Sequence, residues 1–342
     1  MINKRTKTLL LNTAKASALP LIILVLFSVI TRIIPGASTS SYGTYNHIMV
    51  ILKQAAPALL MALGMSFNMF SGRWDFSYGS ISVVSAIVGG QLAEKWGLSS
   101  FSMMFVCIVV SCACTTVSGL IYINIKLPAL VVSLGLVQVY EMISAMIYDG
   151  AGATVRGAVT NLAILPNIVI FTGIAFVLYY IIINKTKFGY DVRSIGGGQE
   201  IARNIGVNVK RNAFLCYFIG GIFIGMSAYM TICSNGTQRA TLNLESMPVM
   251  FDAMICIIIG SYIKRYCNVA FSVLIGVLSM KLLISGLLMI GLSSQMQSIV
   301  KGLFLLIFIA FSKNQYKIQE RRELKEKAER ANAKYAASSG GN

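Results

Sequence analysis

Five ionisable residues, Asp75, Glu141, Asp252, Lys281 and Lys301, lie in or beside long apolar runs. A charge at membrane depth is costly and usually faces a bundle interior or a water-filled path, so these residues are where chemistry is expected. Asp75 comes first, because it sits in the polar stretch Ser71 to Ser80 that joins two apolar runs. Irregular backbone at that depth survives only where protein or a water-filled cavity surrounds it, and broken helices of this kind line solute sites in membranes. The expected chemistry is passage of a polar solute past Trp74, Asp75, Phe76, Ser77, Gly79 and Ser80. The competing reading of Asp75 is a structural cap on the half-helix that follows. Phe67, Phe70 and Tyr78 crowd the same join, which suits either sugar faces or core packing. Glu141 with Lys281 or Lys301 reads as a packing ion pair or as part of a transport path.

Other chemistries find no support. A membrane-embedded hydrolase or transferase built on Asp75 and Glu141 would lack a nucleophile with its base, a metal cluster and a histidine partner, so no catalytic residue is assigned. The single histidine, His47, has no ligand-spaced Cys, His or carboxylate, and no metal site is assigned. The seven cysteines form no C-x-x-C pair and mostly sit inside apolar runs, where free thiols behave as small hydrophobes.

The elements that must hold these residues follow from composition. The chain has 342 residues, 56% hydrophobic and 12% charged, about half the charge content of a soluble domain, with a mean hydropathy of +0.72. It reads as an all-α, polytopic integral membrane protein. A span takes about 20 apolar residues, fewer when the segment is re-entrant or buried. About ten segments meet that measure: 18–34, 48–70, 78–93, 101–124, 128–147, 162–184, 212–233, 248–261, 267–290 and 294–312, with 78–93 and 248–261 short or broken. These two short segments, in opposite halves, suit two related halves.

A net charge of +17 suggests nucleic acid in a soluble protein, but here the basic residues follow a membrane topology, and no nucleic-acid partner is assigned. Starting from a cytoplasmic N-terminus, most of the Lys and Arg fall on inner connections, as the positive-inside rule requires. The organisation is then a cytoplasmic N-terminus at 1–17, a membrane domain at 18–312 with a cytoplasmic segment at 185–211, and a charged cytoplasmic tail at 313–342. The apolar run after the N-terminus lacks a small-residue cleavage site and reads as a retained anchor. In the tail, Glu320, Glu323, Glu326 and Glu329 alternate with Lys and Arg at three- and four-residue spacing, the pattern of a solvated helix.

The segment 185–211 is too patterned for a linker. Gln199 to Ile205 is helix-compatible, Gly206 supplies a left-handed residue to end it, and Gly196 to Gly198 allow a tight turn into it. Ile201 and Ile205 share a face beside the small Ala202, which suits seating into a groove of a soluble motor; the plainer alternative is a loop packed on the bilayer surface. The triple glycine lacks the Lys-Ser/Thr of a phosphate-binding loop, so the chain carries no nucleotide site.

These stretches together resemble the ribose-type branch of ATP-binding-cassette importer permeases. Ser-Gly-Arg-Trp-Asp-Phe-Ser-Tyr-Gly-Ser at 71–80 is similar to that family's S-G-G-I-D-L-S-V-G-S. Thr-Lys-Phe-Gly at 186–189, Ile-Gly-Gly at 195–197 and Glu-x-Ala-x-x-x-Gly at 200–206 are similar to its coupling segment. Residues 251–260 and 285–297 resemble its L-D-A-I-A-A-V-V-L-G and N-G-L-N-L-L-G-V-S-x-x-x-Q stretches. The resemblance covers roughly residues 45 to 312. It implies a permease subunit for a sugar or similar small polar solute in a bacterial cytoplasmic membrane, with both termini cytoplasmic. It implies as partners a cytoplasmic ABC ATPase, a second permease subunit (homo- or heterodimer), an extracytoplasmic solute-binding protein and membrane lipid. ATP and Mg would be bound by the ATPase and no cofactor by this chain, while Phe188, Gly189, Glu200, Ile201, Ala202, Ile205 and Gly206 would couple to the ATPase. The sequence departs from the pattern at Arg73 and Trp74, at Met250 (the family's acidic position), at Glu141 (its arginine), and after Gly260, where the glycines are nearly gone. Those departures leave open a nucleoside or other solute, and a degenerate, structural half of a heterodimer.

Overall fold

The computed structural model describes residues 4–33, 42–125, 127–264, 266–293, 295–307 and 310; the charged tail therefore lies outside the described residues. Helices account for nearly all of the regular structure. In chain order they are α1 (Lys4–Ile33), α2 (Tyr45–Phe70), α3 (Tyr78–Trp96), α4 (Ser100–Ile125), α5 (Ala129–Met146), α6 (Asn167–Lys185), α7 (Lys187–Gly196), α8 (Gln199–Asn204), α9 (Val209–Asn235), α10 (Met247–Ile263) and α11 (Val269–Met289). Among the described residues seven helices are long and apolar enough to cross a membrane: α1, α2, α4, α5, α6, α9 and α11. The apolar α10 is shorter, and α3 is not among the seven. The ten expected segments therefore fall on helices, seven of them long and apolar enough to span and three, at 78–96, 247–263 and 295–307, not. This is a polytopic membrane protein.

Residues 1–290 and 291–342 form separate units. In the second, α12 (Gln295–Ile307) is a short apolar helix whose first turn is closed by Ser293: its carbonyl accepts from Gln297 N at 3.0 Å.

In the first unit α9 is the central element, packed against α4 on one side and α2 on another. Small residues allow the close approach: on α9 Gly220 faces Gly64 of α2, and Gly225 lies against the backbone of Ile108 in α4. Several hydroxyls inside are satisfied locally. Ser85, Thr115, Ser118 and Ser279 donate to carbonyls one turn back, the usual fate of hydroxyls in apolar helices. His47 bonds Ser285 Oγ at 2.8 Å, tying the start of α2 to α11. A two-stranded ribbon, β1 (Ala153–Thr154) with β2 (Thr237–Gln238), joins the α5–α6 and α9–α10 connections.

Candidate functional site

The polar join is built by the way α2 stops. Ser71 N, Gly72 N and Arg73 N donate to Asn68 O, Met69 O and Asn68 O, and Gly72 takes φ +77°, which reverses the chain. The chain then starts again at α3. The Asp75 carboxylate accepts from Ser77 N at 2.8 Å and from Ser77 Oγ at 2.7 Å, and the Tyr217 hydroxyl of α9 lies beside it. Asp75 therefore sits at the N-terminus of α3, where orphan amides and the helix dipole favour a carboxylate. Ser80 Oγ donates to Ser77 O at 2.9 Å. Asp75, Ser77, Gly79 and Ser80 are all buried. Trp74 is 41% exposed, and Phe76, half-buried, packs its ring 5.6 Å from that of Phe251.

A second interruption meets the first. The N-terminus of α10 lies against the N-terminus of α3: a Cβ on Gly79 would come within 2.5 Å of the Ser246 carbonyl oxygen. The turn leading into α10 is held by Glu141 of α5, whose Oε2 accepts from Leu244 N at 2.7 Å and whose Oε1 accepts from Ser246 N at 2.8 Å. Leu244 adopts φ +67° there. The two half-helices thus meet at their positive ends with one buried carboxylate serving each. Glu141 spends both oxygens on backbone amides, and Lys281 instead faces a different cavity.

Arg73 fills the space beneath the join. Its side chain is 1% exposed and donates to Ser71 Oγ at 2.8 Å, Val209 O at 3.4 Å and Cys216 Sγ at 3.7 Å, bracing the join against the start of α9. Its Nε has no partner. A buried cation whose partners are neutral dipoles gains little against its desolvation. Arg73→Met is therefore expected to leave the thermal midpoint of the purified protein unchanged or higher; a clear fall would mean that the three bonds outweigh the desolvation.

The connection between α6 and α9 folds into two short helices rather than one. α7 begins at Thr186, whose hydroxyl accepts from Gly189 N, and Phe188, Val192 and Ile195 supply its inward face. Phe188 places its ring 5.5 Å from Phe67 of α2, and Gly189 lies against the Ile183 backbone. α8 ends at Gly206, which takes φ +87°. Ala202 is 1% exposed, seating α8, whereas Ile201 and Ile205 are 66% and 68% exposed and Glu200 faces outward beside them. A groove of about 510 Å³ runs along Phe188, Asp191, Ile205, Gly206 and Arg211.

This segment touches the join directly. Gly196, the last residue of α7, lies so close to the Phe70 carbonyl that a Cβ there would collide with it. Beside it Lys264, just beyond α10, holds its ammonium 5.6 Å from the Phe70 ring centroid. Burial, and then the neighbouring Arg193, lowers the pKa of Lys264 below the usual lysine value.

A third region brings together two of the ionisable residues noted in the sequence, Asp252 and Lys281, with polar groups that no motif marked. Between α2, α9, α10 and α11 lies a cavity of about 360 Å³ lined by Gln54, Ser227, Thr231, Asn235, Asp252 and Lys281. The readable signal was the spacing of Ser227, Thr231 and Ser234, which repeats one face of α9 at i, i+4 and i+7. Among the described residues no group of three His, Cys, Asp or Glu side chains is placed to hold a metal ion.

Comparison with known proteins gives one consistent answer. Residues 47–309 match the model of a family described as branched-chain amino acid transport system / permease component. The galactose/methyl galactoside import permease protein MglC of Haemophilus influenzae is 25% identical over 330 residues, which cover 88% of this chain and 95% of that protein. The fructose import permease protein FrcC of Rhizobium meliloti is 25% identical over 316 residues, 86% of this chain and 84% of its own. The ribose import permease protein RbsC of Bacillus subtilis is 26% identical over 275 residues, 77% and 83% of the two chains. No solved structure matches the chain.

Proposed function

Since the chain belongs to this family of transport permease components, in its ribose-type branch, we propose that it forms the membrane path of an ATP-binding-cassette importer for a sugar or similar small polar solute. In this reading the α7–α8 end faces the cytoplasm and receives an ABC ATPase, while the opposite end receives a solute-binding protein. Each permease path is completed by a second permease subunit, either a second copy or a related chain. ATP and Mg reside on the ATPase, and residues 1–17 and the tail lie on the cytoplasmic side.

One observation carries the reading: the backbone contact of Gly196 with Phe70. It links the segment that would meet a motor to the break between α2 and α3, so that displacement of α7 and α8 moves the join without an intervening flexible loop. Ile201 and Ile205, both exposed on one side of α8, would be the seat of the ATPase, with the groove at Phe188 and Gly206 beside them. Ile201 and Ile205 lie four residues apart and form an exposed apolar pair there. Trp74, Asp75, Phe76, Ser77, Gly79 and Ser80 would act in this scheme as the moving wall of the path, braced by Arg73.

The test uses substitutions that the fold tolerates. Ile201→Glu with Ile205→Glu, both at exposed positions, is expected to leave membrane insertion and the melting profile unchanged while reducing recovery of the co-expressed ATPase with the tagged permease at least tenfold and abolishing uptake. Full recovery of the ATPase with normal uptake would overturn the assignment of α8 as its seat. Pull-down of an untagged copy by a tagged one separates a homodimer from a pair of different chains.

A further inference from the structure

The cavity between α2, α9, α10 and α11 carries more polar chemistry than packing requires. Asp252 and Lys281 face it from α10 and α11, and α9 adds the hydroxyls of Ser227 and Thr231 along one face. Lys281 is the thirteenth residue of the 21-residue α11, so it lies near the middle of that helix, and Pro57 stands at mid-length in α2. Proline leaves the carbonyl one turn back without its helical donor, and its own carbonyl here accepts from Ser227 Oγ at 2.7 Å. From there the cavity reaches Asn235, the last residue of α9 and the end remote from α7 and α8; the 27 residues of α9 span about 40 Å. Gln54 and Asn235 are exposed at its mouth.

Carboxylate, ammonium and amide groups at the middle of a membrane helix face protein or water rather than lipid. The join at 71–80 is different in kind: its carboxylate and hydroxyls are buried and bonded to one another within the turn that leads into α3. We infer that the Asp252–Lys281 cavity is the solute-contacting site of this chain, and that it takes an uncharged polyhydroxylated solute. The inference rests on the permease reading above. The carboxylate accepts and the ammonium donates, so the two engage hydroxyl groups, which do both. A solute of either net charge meets its like charge on one wall. The hydroxyls and amides that line the same cavity pair with further solute hydroxyls, whereas a branched aliphatic side chain would leave them desolvated and unpaired. The volume lies within the range of small-molecule sites.

The experiment uses the full chain co-expressed with its ATPase and binding protein in whole cells. Thr231→Cys, inside the cavity, is treated from outside with a membrane-impermeant maleimide, with the unsubstituted chain and Ser77→Cys as controls. The expected result is labelling at Thr231→Cys alone, with a tenfold or greater loss of uptake of radiolabelled D-galactose, D-ribose or D-fructose that tracks the labelling. Absence of labelling, or uptake that continues after complete labelling, overturns the site. Asp252→Asn is expected to reduce uptake at least tenfold, and the Asp252→Asn, Lys281→Met pair to remain impaired; recovery in the pair would show a structural ion pair instead. Uptake of L-leucine in place of the sugars overturns the solute class and leaves the labelling result to judge the site. If the unsubstituted complex transports none of these probes, the sugar reading fails, and external labelling of Thr231→Cys still decides whether the cavity is an open path.

Discussion

Glu141→Ala should prevent the protein from accumulating in folded form. The carboxylate is 2% exposed and accepts from two backbone amides, that of Leu244, which is part-buried, and that of Ser246, which is buried. A hydrogen bond to a charged group is worth about 1.5–3 kcal/mol, and a buried donor left without a partner costs about 1–3 kcal/mol. Two such bonds together reach about 3–6 kcal/mol, a large share of the 5–15 kcal/mol that holds a typical domain. The loss falls on the turn that starts α10, so α10 would lose its seat against Gly79. Glu141→Gln keeps one good acceptor and turns an amide group toward the other N–H, so it should lie between the two. Monodisperse protein recovered after detergent extraction, followed by a thermal melt, measures the effect. An Ala variant that extracts and melts like the unsubstituted chain would show that solvent or a nearby hydroxyl can take over both amides.

Gly196→Val should abolish uptake while leaving the permease in the membrane. Valine places a branched Cβ against the Phe70 carbonyl, where even alanine collides, so α7 must pull away from the end of α2. Overpacking of a tight contact typically costs about 1–3 kcal/mol, which a polytopic bundle can absorb, but the displacement falls where the backbone of α7 meets the join. Uptake is expected to fall to background, with the co-expressed ATPase still recovered and hydrolysing ATP without responding to solute. Uptake near the unsubstituted level would separate the join from the motor and remove the observation on which the proposed coupling rests. The two substitutions differ in signature: Glu141→Ala loses the protein, Gly196→Val keeps it and loses the work.

Much of this architecture is legible in the order of the residues. Apolar length alone places ten helices, because in a bilayer each backbone group must be bonded within its own segment and only a helix of about 20 residues does that. The short segments at 78–93 and 248–261 stand out for the same reason, since neither is long enough to be an ordinary span. The α8 helix with its glycine stop at Gly206 is equally local. The α7 helix was also present in the pattern, in Phe188, Val192 and Ile195 at i, i+4 and i+7, but the glycines that follow draw attention to the turn instead. The ribbon of Ala153–Thr154 with Thr237–Gln238 has no such signal, because strands of two residues show no periodicity.

What Asp75, Glu141 and Lys281 do is another matter. Each is a charged residue in an apolar setting, and that alone marks it as costly and constrained. The sequence by itself determined that these charges must be satisfied inside a helical membrane domain, and that 71–80 and 185–211 depart from plain helix. Only the tertiary structure decided how. Asp75 finds Ser77 two residues away and Tyr217 on α9; Glu141 finds amides more than a hundred positions along the chain; Lys281 shares a cavity with Asp252 from the neighbouring helix. The physical reason is that a helix sets its own length and face through bonds four residues apart, whereas the partner of a buried charge is whichever element the packing of small residues such as Gly64, Gly79 and Gly196 brings within 3 Å.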